Sequence, residues 1–141
     1  MLTEDYISFE TAKLLKERGF DERCVCYYNT ESLNKYGHPV FDSIDMPLSN
    51  SDLEQSDRDY VCYSAPTLQM TMKWLRKVHN LHCSVDYDYV LGWYCQITSL
   101  KETVEYDYEE MKRYHPEKDN GFSSSEEAYE AAIKYCLEKL I

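Results

Sequence analysis

Apolar residues recur along this chain at two spacings, and the spacing sorts it into segments. In "SFETAKLLKERGF", Ile7, Ala12, Leu14 and Leu15 fall on one narrow stripe, which predicts a helix. Ser8 suits the N-cap, because its hydroxyl can accept from a backbone N–H that has no partner inside the helix. Glu10 in the first turn complements the positive end of the helix dipole. Gly19 provides a left-handed position just past the end, with Phe20 folding back onto Leu15 in a Schellman ending. "RCVCYYN" follows and reads as a short strand.

Between Asn29 and Asp59 the pattern weakens. Gly37, Pro39, Pro47 and a run of Ser, Asn and Asp predict a long irregular loop, interrupted at most by a short strand near "HPVFDSI". "DYVCYSAPTLQMTMKWLRKVHN" then reads as a short strand, a turn and a second helix with Pro66 in its first turn. With Leu68 at zero, Gln69, Lys73, Arg76, Lys77 and Asn80 cluster between about 80° and 180°, leaving every apolar side chain on the other arc. "LHCSVDYDY" alternates as a half-buried strand should, and "GWYCQITSL" forms a second strand, paired with the first as an antiparallel hairpin around Gly92. Residues 101–120 are polar, rich in tyrosine and weakly patterned, with room for a helical turn before Pro116. The chain closes on a third helix, whose start carries two overlapping capping boxes, Ser123/Glu126 and Ser124/Glu127. Its stripe runs through Tyr129, Ala132, Ile133, Cys136, Leu137 and Leu140. The sum is an α+β fold: a single domain over residues 1–141, with about three helices on a small antiparallel sheet.

Charge alters the picture more than composition does. The net charge is −11, which sets the surface as a whole against nucleic acid and anionic membrane. Yet Tyr60 to Val85 holds no acid and contains Lys73, Arg76 and Lys77. The expected object is an acidic body with one basic helix face. No apolar run approaches a membrane span, and "MLTEDYISFE" lacks the basic start and apolar stretch of a secretory signal, so the chain is expected in the cytoplasm. There its six cysteines are expected to be reduced and structural.

Candidate chemistry centres on "KVHNLHCSV". A metal site would draw on His79, His82 and Cys83, with Cys24 and Cys26 as the other close pair. Against it, His79 lies on the apolar arc of the helix, while His82 and Cys83 point to opposite sides of a strand. C-x-C is also not a usual zinc spacing. The competing reading is a core histidine among buried thiols, and no cofactor is expected. A Cys–His nucleophilic pair stays open only because such partners meet in space. Phosphate loops, a nucleophile elbow and HExxH are absent, which leaves an enzyme as the minority reading.

Two surface features point to binding. The Lys73/Arg76/Lys77 face could meet phosphates or an acidic protein surface, including a second copy of the chain. Fourteen tyrosines exceed what a small core can absorb, and "DYDY" and "EYDYEE" set tyrosine, including Tyr106 and Tyr108, among carboxylates. That pairing suits a protein-binding face, because tyrosine gives large amphipathic contact area at small entropic cost. It also suits an acidic decoy of a nucleic-acid backbone.

"ISFETAKLLKERGFDE", "APTLQMTMKWLRKVHNLH" and "SSSEEAYEAAIKYCLEKLI" resemble an uncharacterised family of small proteins encoded by phages and integrated mobile elements of gut bacteria. The second block is the most specific of the three. The family has no assigned activity, so the resemblance carries over no catalytic or binding residue. What it implies is context, an intracellular accessory protein of a mobile element; the acidic, tyrosine-rich surface and the missing site motifs make another protein the expected partner.

Overall fold

Ser8 opens the first helix as its hydroxyl allows: Oγ accepts from the Thr11 amide at 3.3 Å, and α1 runs from Phe9 to Glu17. At its other end the Gly19 N–H donates to Lys16 O and the Phe20 N–H to Leu15 O, with Gly19 at φ +88°, the full Schellman pattern. Leu15 and Phe20 are both buried. These elements belong to a computed structural model that describes residue 2 and residues 4–31, 33–54, 60–90, 92–101, 105–106 and 121–141. The chain divides into two compact units, residues 1–67 and 68–141. Both are α+β, built on three-stranded antiparallel sheets.

In the first unit, β1 (Cys24–Asn29) is the central strand, flanked by β2 (Val40–Leu48) and β3 (Cys62–Ser64). Tyr28 stands opposite Phe41 on one side and Tyr63 on the other, so one row of the sheet is aromatic across all three strands. Phe9 of α1 meets Tyr28 and Tyr63 edge-on, at 5.6 and 5.7 Å between ring centres. Tyr27 on the opposite face packs with Leu53 and Cys62. Two short helices, α2 (Leu33–Tyr36) and α3 (Asn50–Glu54), lie in the connections. Asn50 is buried and joins distant backbone: its amide nitrogen donates to Phe20 O at 2.8 Å, and its amide oxygen accepts from the Ser64 N–H at 2.9 Å.

The second unit begins with α4 (Leu68–His79). Its sheet runs β4 (Leu81–Asp88), β5 (Gly92–Ser99), β6 (Glu105–Tyr106) in sequence order. Asn80, at φ +57°, makes the left-handed step that turns helix into strand; asparagine tolerates this better than most residues. The inward side of the hairpin presents Leu81, Cys83, Cys95 and Ile97, all buried. Onto it packs α5 (Ser125–Tyr135), which continues as a wider π-helical turn over Cys136–Leu140. Ser124 caps α5, accepting from the Glu127 amide at 3.1 Å.

Several sequence expectations need correction. The long loop over 29–59 holds α2, the nine-residue β2 and α3; residues 55–59 lie outside the described ones. The short strand expected near "HPVFDSI" is the first half of β2; the rest escaped because the strand is an edge, exposed along most of its length, so no burial alternation marks it. The strands form two sheets, one in each unit. Pro66 lies before the second helix rather than in its first turn, since α4 starts at Leu68. Only one of the two capping boxes caps α5: Ser124 takes the Glu127 amide, while the Glu127 carboxylate accepts from Ser123. Most of residues 101–120 lie outside the described ones, apart from Lys101 and β6.

The Asn50 contacts yield a stability expectation. Asn50→Ala strands a buried carbonyl and a buried amide, each costing about 1–3 kcal/mol unsatisfied. The first unit should lose about 2–4 kcal/mol in urea unfolding. A loss below about 0.5 kcal/mol would show the contacts to be dispensable.

Candidate interaction surface

The basic helix face sits where the helical period puts it. Lys73 and Lys77 are exposed and Arg76 is half-buried, while Leu68, Thr71, Met72, Trp74 and Leu75 are buried. Trp74 is therefore not free to stack on a base. The apolar arc is not wholly covered, because Val78 is 53% exposed near the end of the helix.

The histidines part company at Asn80. The His79 ring meets Trp74 edge-on at 4.7 Å, and its Nε2 is buried with no hydrogen-bond partner among the described residues. Burial pushes its pKa below the ordinary 6.5. His82 is half-buried and sits opposite Thr98 on the outer side of the hairpin. Cys83 points the other way, its sulfur 3.8 Å from that of Cys136. Cys24 and Cys26 belong to β1 in the other unit, and both are buried. Burial, with Cys26 and Glu22 nearby, pushes the Cys24 thiol up to about 12. Among the described residues, no three His, Cys, Asp or Glu side chains are grouped so as to hold a metal ion. "KVHNLHCSV" is the seam between a helix and a strand.

Of the two acid–tyrosine stretches, one can be followed. Tyr106 lies on β6 opposite Ile97, and Tyr108 lies outside the described residues. The other, Asp86-Tyr87-Asp88-Tyr89, forms the end of β4 and enters the hairpin turn. Cover on the inward side of β4 falls away along the strand: Leu81 and Cys83 are buried, Val85 is half-buried and Tyr87 is 59% exposed. The hairpin thus runs past its own core.

At the tip, Asp88 Oδ1 accepts from the Val90 amide at 2.8 Å, an Asx turn that folds the connection locally. Gly92, opposite Asp88, has φ +83°, a conformation that favours glycine and closes the turn. Tyr89 is 94% exposed and Val90 76%. Tyr87 is braced by Trp93 on the facing strand, edge-on at 5.2 Å. The result is a small apolar and aromatic knob with Asp86 and Asp88 at its base. At its base the strand ladder closes on Asp88 opposite Gly92, and the Asx turn ties Val90 to Asp88.

The sequence contained the signals for this knob, in the alternation and the expected hairpin around Gly92. What it did not single out was Val90, or the absence of cover over Tyr87. The aromatic row of the first unit also escaped sequence reading, because its members come from three separated strands. The first unit carries an open depression of about 330 Å³ lined by Asn29, Glu31, Lys35, Tyr36 and Val40. Lys35 there sits over the Tyr36 ring at 5.3 Å. Among the described residues, no helix is long and apolar enough to cross a membrane.

His79 carries a pH expectation. Its folded pKa is lowered, so below about 6.5 the unfolded chain takes up a proton that the folded ring resists. The stability contribution is complete above that value and is lost as pH falls through it toward the folded pKa. Wild type should therefore lose more stability than His79→Phe between pH 7.5 and 5.5 in parallel urea titrations. Curves that fall together would remove the histidine as the cause. Comparison with known proteins found no matching family model, no matching curated protein and no matching solved structure for this chain.

Proposed function

We propose that the protein acts by binding another protein, with the β4–β5 hairpin tip as the principal contact. The observation that carries this reading is the exposed cluster of Tyr87, Tyr89 and Val90 at the end of a fixed hairpin. Exposed aromatics of this kind serve poorly as core and well as anchors, because a rigid ring enters a pocket at little entropic cost. Asp86 and Asp88 beside them, in a chain of net charge −11, define the complement. The partner surface is an apolar pocket rimmed by Lys and Arg, so encounter is steered by charge and residence is set by the rings.

This reading is favoured over catalysis because the cysteines and His79 face the interior. It is favoured over nucleic-acid binding because Trp74 is buried beneath the basic face. The resemblance to mobile-element proteins adds a context in which the partner is a host or phage protein.

The test is quantitative affinity capture from host lysate, comparing wild type with the double variant Tyr89→Ser/Val90→Ser. Neither side chain supports the fold, so circular dichroism should be unchanged. Loss of one anchor cluster worth about 2 kcal/mol should cut recovery of a specific partner about thirtyfold. Lowering salt should strengthen capture by wild type. Equal recovery by both proteins would dismiss the tip as the contact.

A further inference from the structure

We propose that Cys83 and Cys136 are a redox modification site, a thiol pair that closes to a reversible disulfide when a hydroperoxide oxidises it. This rests on the core of the second unit and does not depend on the docking reading. The two sulfurs lie 3.8 Å apart, one on the inward face of β4 and one at the first residue of the π-helical turn after α5. A disulfide needs about 2.05 Å, so closure asks for a shift of about 1.8 Å, within reach of side-chain rotation at two residues. Cys95 shares the inward face of the hairpin and is a diagonal neighbour of Cys83, since Cys83 pairs with Ile97 and Val85 with Cys95.

The pair is protected at rest. Cys136 and Cys95 are fully buried, and both thiols are pushed up, Cys136 mainly by its contact with Cys83 and Cys95 by burial. Cys83 is the slightly more open of the two partners, at 4% exposure. Access comes through local opening of the second unit, which brings the buried sulfurs to water. A π-helical turn at this point also fits, since such turns are often found at functional positions.

The chemistry balances as follows. Cys83, as thiolate, attacks one peroxide oxygen and the O–O bond breaks. Cys83 becomes a sulfenic acid, and the departing oxygen takes up a proton and leaves as water. The Cys136 sulfur then attacks the Cys83 sulfur, forming S–S and expelling the hydroxyl, which leaves as a second water with the Cys136 proton. Two thiols lose two electrons in all, and hydrogen peroxide gains them. The bond joins residues 53 apart, so it fastens the end of α5 to β4 and encloses the whole hairpin.

The experiment treats the folded, fully reduced protein with hydrogen peroxide, then denatures it, alkylates the remaining thiols and maps the peptides by mass spectrometry. The expected product has four alkylated cysteines and a cross-link between the peptides of Cys83 and Cys136. Dithiothreitol should restore six alkylated cysteines. The melting midpoint should rise by roughly 10 °C on oxidation, because the bond closes a long loop. Cys95→Ser should keep the cross-link and Cys83→Ser should lose it, while the wild-type peptide map decides the matter without any variant. Six alkylatable thiols after prolonged oxidation, a bond through any other cysteine, or sulfinic acid at Cys83 with no cross-link would each overturn the proposal.

Discussion

The second unit depends on one ladder. β4 and β5 pair without interruption from Leu81 opposite Ser99 to Asp88 opposite Gly92, and the period of two assigns every side chain a face. The same register that buries Leu81, Cys83, Cys95 and Ile97 under α5 also carries Tyr87 and Trp93 beyond it. A slip of one residue would exchange the two faces and expose the core thiols. Asn80 anchors the ladder at its base: it turns α4 into β4, and its carbonyl accepts from the Leu100 amide at 2.7 Å, closing the far end of β5. The exposed hairpin tip and the inward-facing Cys83 are therefore two products of one hydrogen-bond register.

How far the sequence revealed this depended on whether the signal was local. Helix caps were legible at Ser8 and Gly19, because each acts on backbone within a few residues. The β4–β5 hairpin was legible because alternation and a turn glycine lie in one short stretch. β2 was legible only over residues 40–44, since an exposed edge strand with Pro47 near its end looks like a loop when read by hydropathy. The α5 stripe proved wider than a strict 3.6-residue reading gives, with Ala128, Ala131 and Tyr135 buried as well. The site was half legible: the acid–tyrosine alternation named the residues, but only the fold shows where cover runs out. The meeting of Cys83 with Cys136 could not be read from spacing at all.

The tyrosine excess resolves into two physical roles. Some rings are structural, as Tyr135 is in α5 and as where Tyr28 bridges Phe41 and Tyr63 and its hydroxyl donates to Ile7 O at 2.7 Å. A phenol suits such a place, because its ring packs while its oxygen reaches a backbone group. Tyr89 stands almost wholly in solvent, and Tyr87 is more than half exposed although Trp93 meets it edge-on. Composition alone merges these populations, and only position separates exposed rings from packed ones.

The irregularity of β2 has its own consequence. Opposite the single residue Val25 stand Ile44, Asp45, Met46 and Pro47, so the strand swells away from its neighbour before rejoining it at Leu48. This edge carries exposed Val40, Phe41 and Met46, the kind of strand that recruits copies of itself into aggregates. The swelling spoils the straight row of donors and acceptors an incoming strand would need, Pro47 withholds one amide, and Asp42 and Asp45 repel a like-charged neighbour. In a chain this rich in aromatic residues, a distortion of the backbone thus works against the exposed edge serving as a template for a second strand.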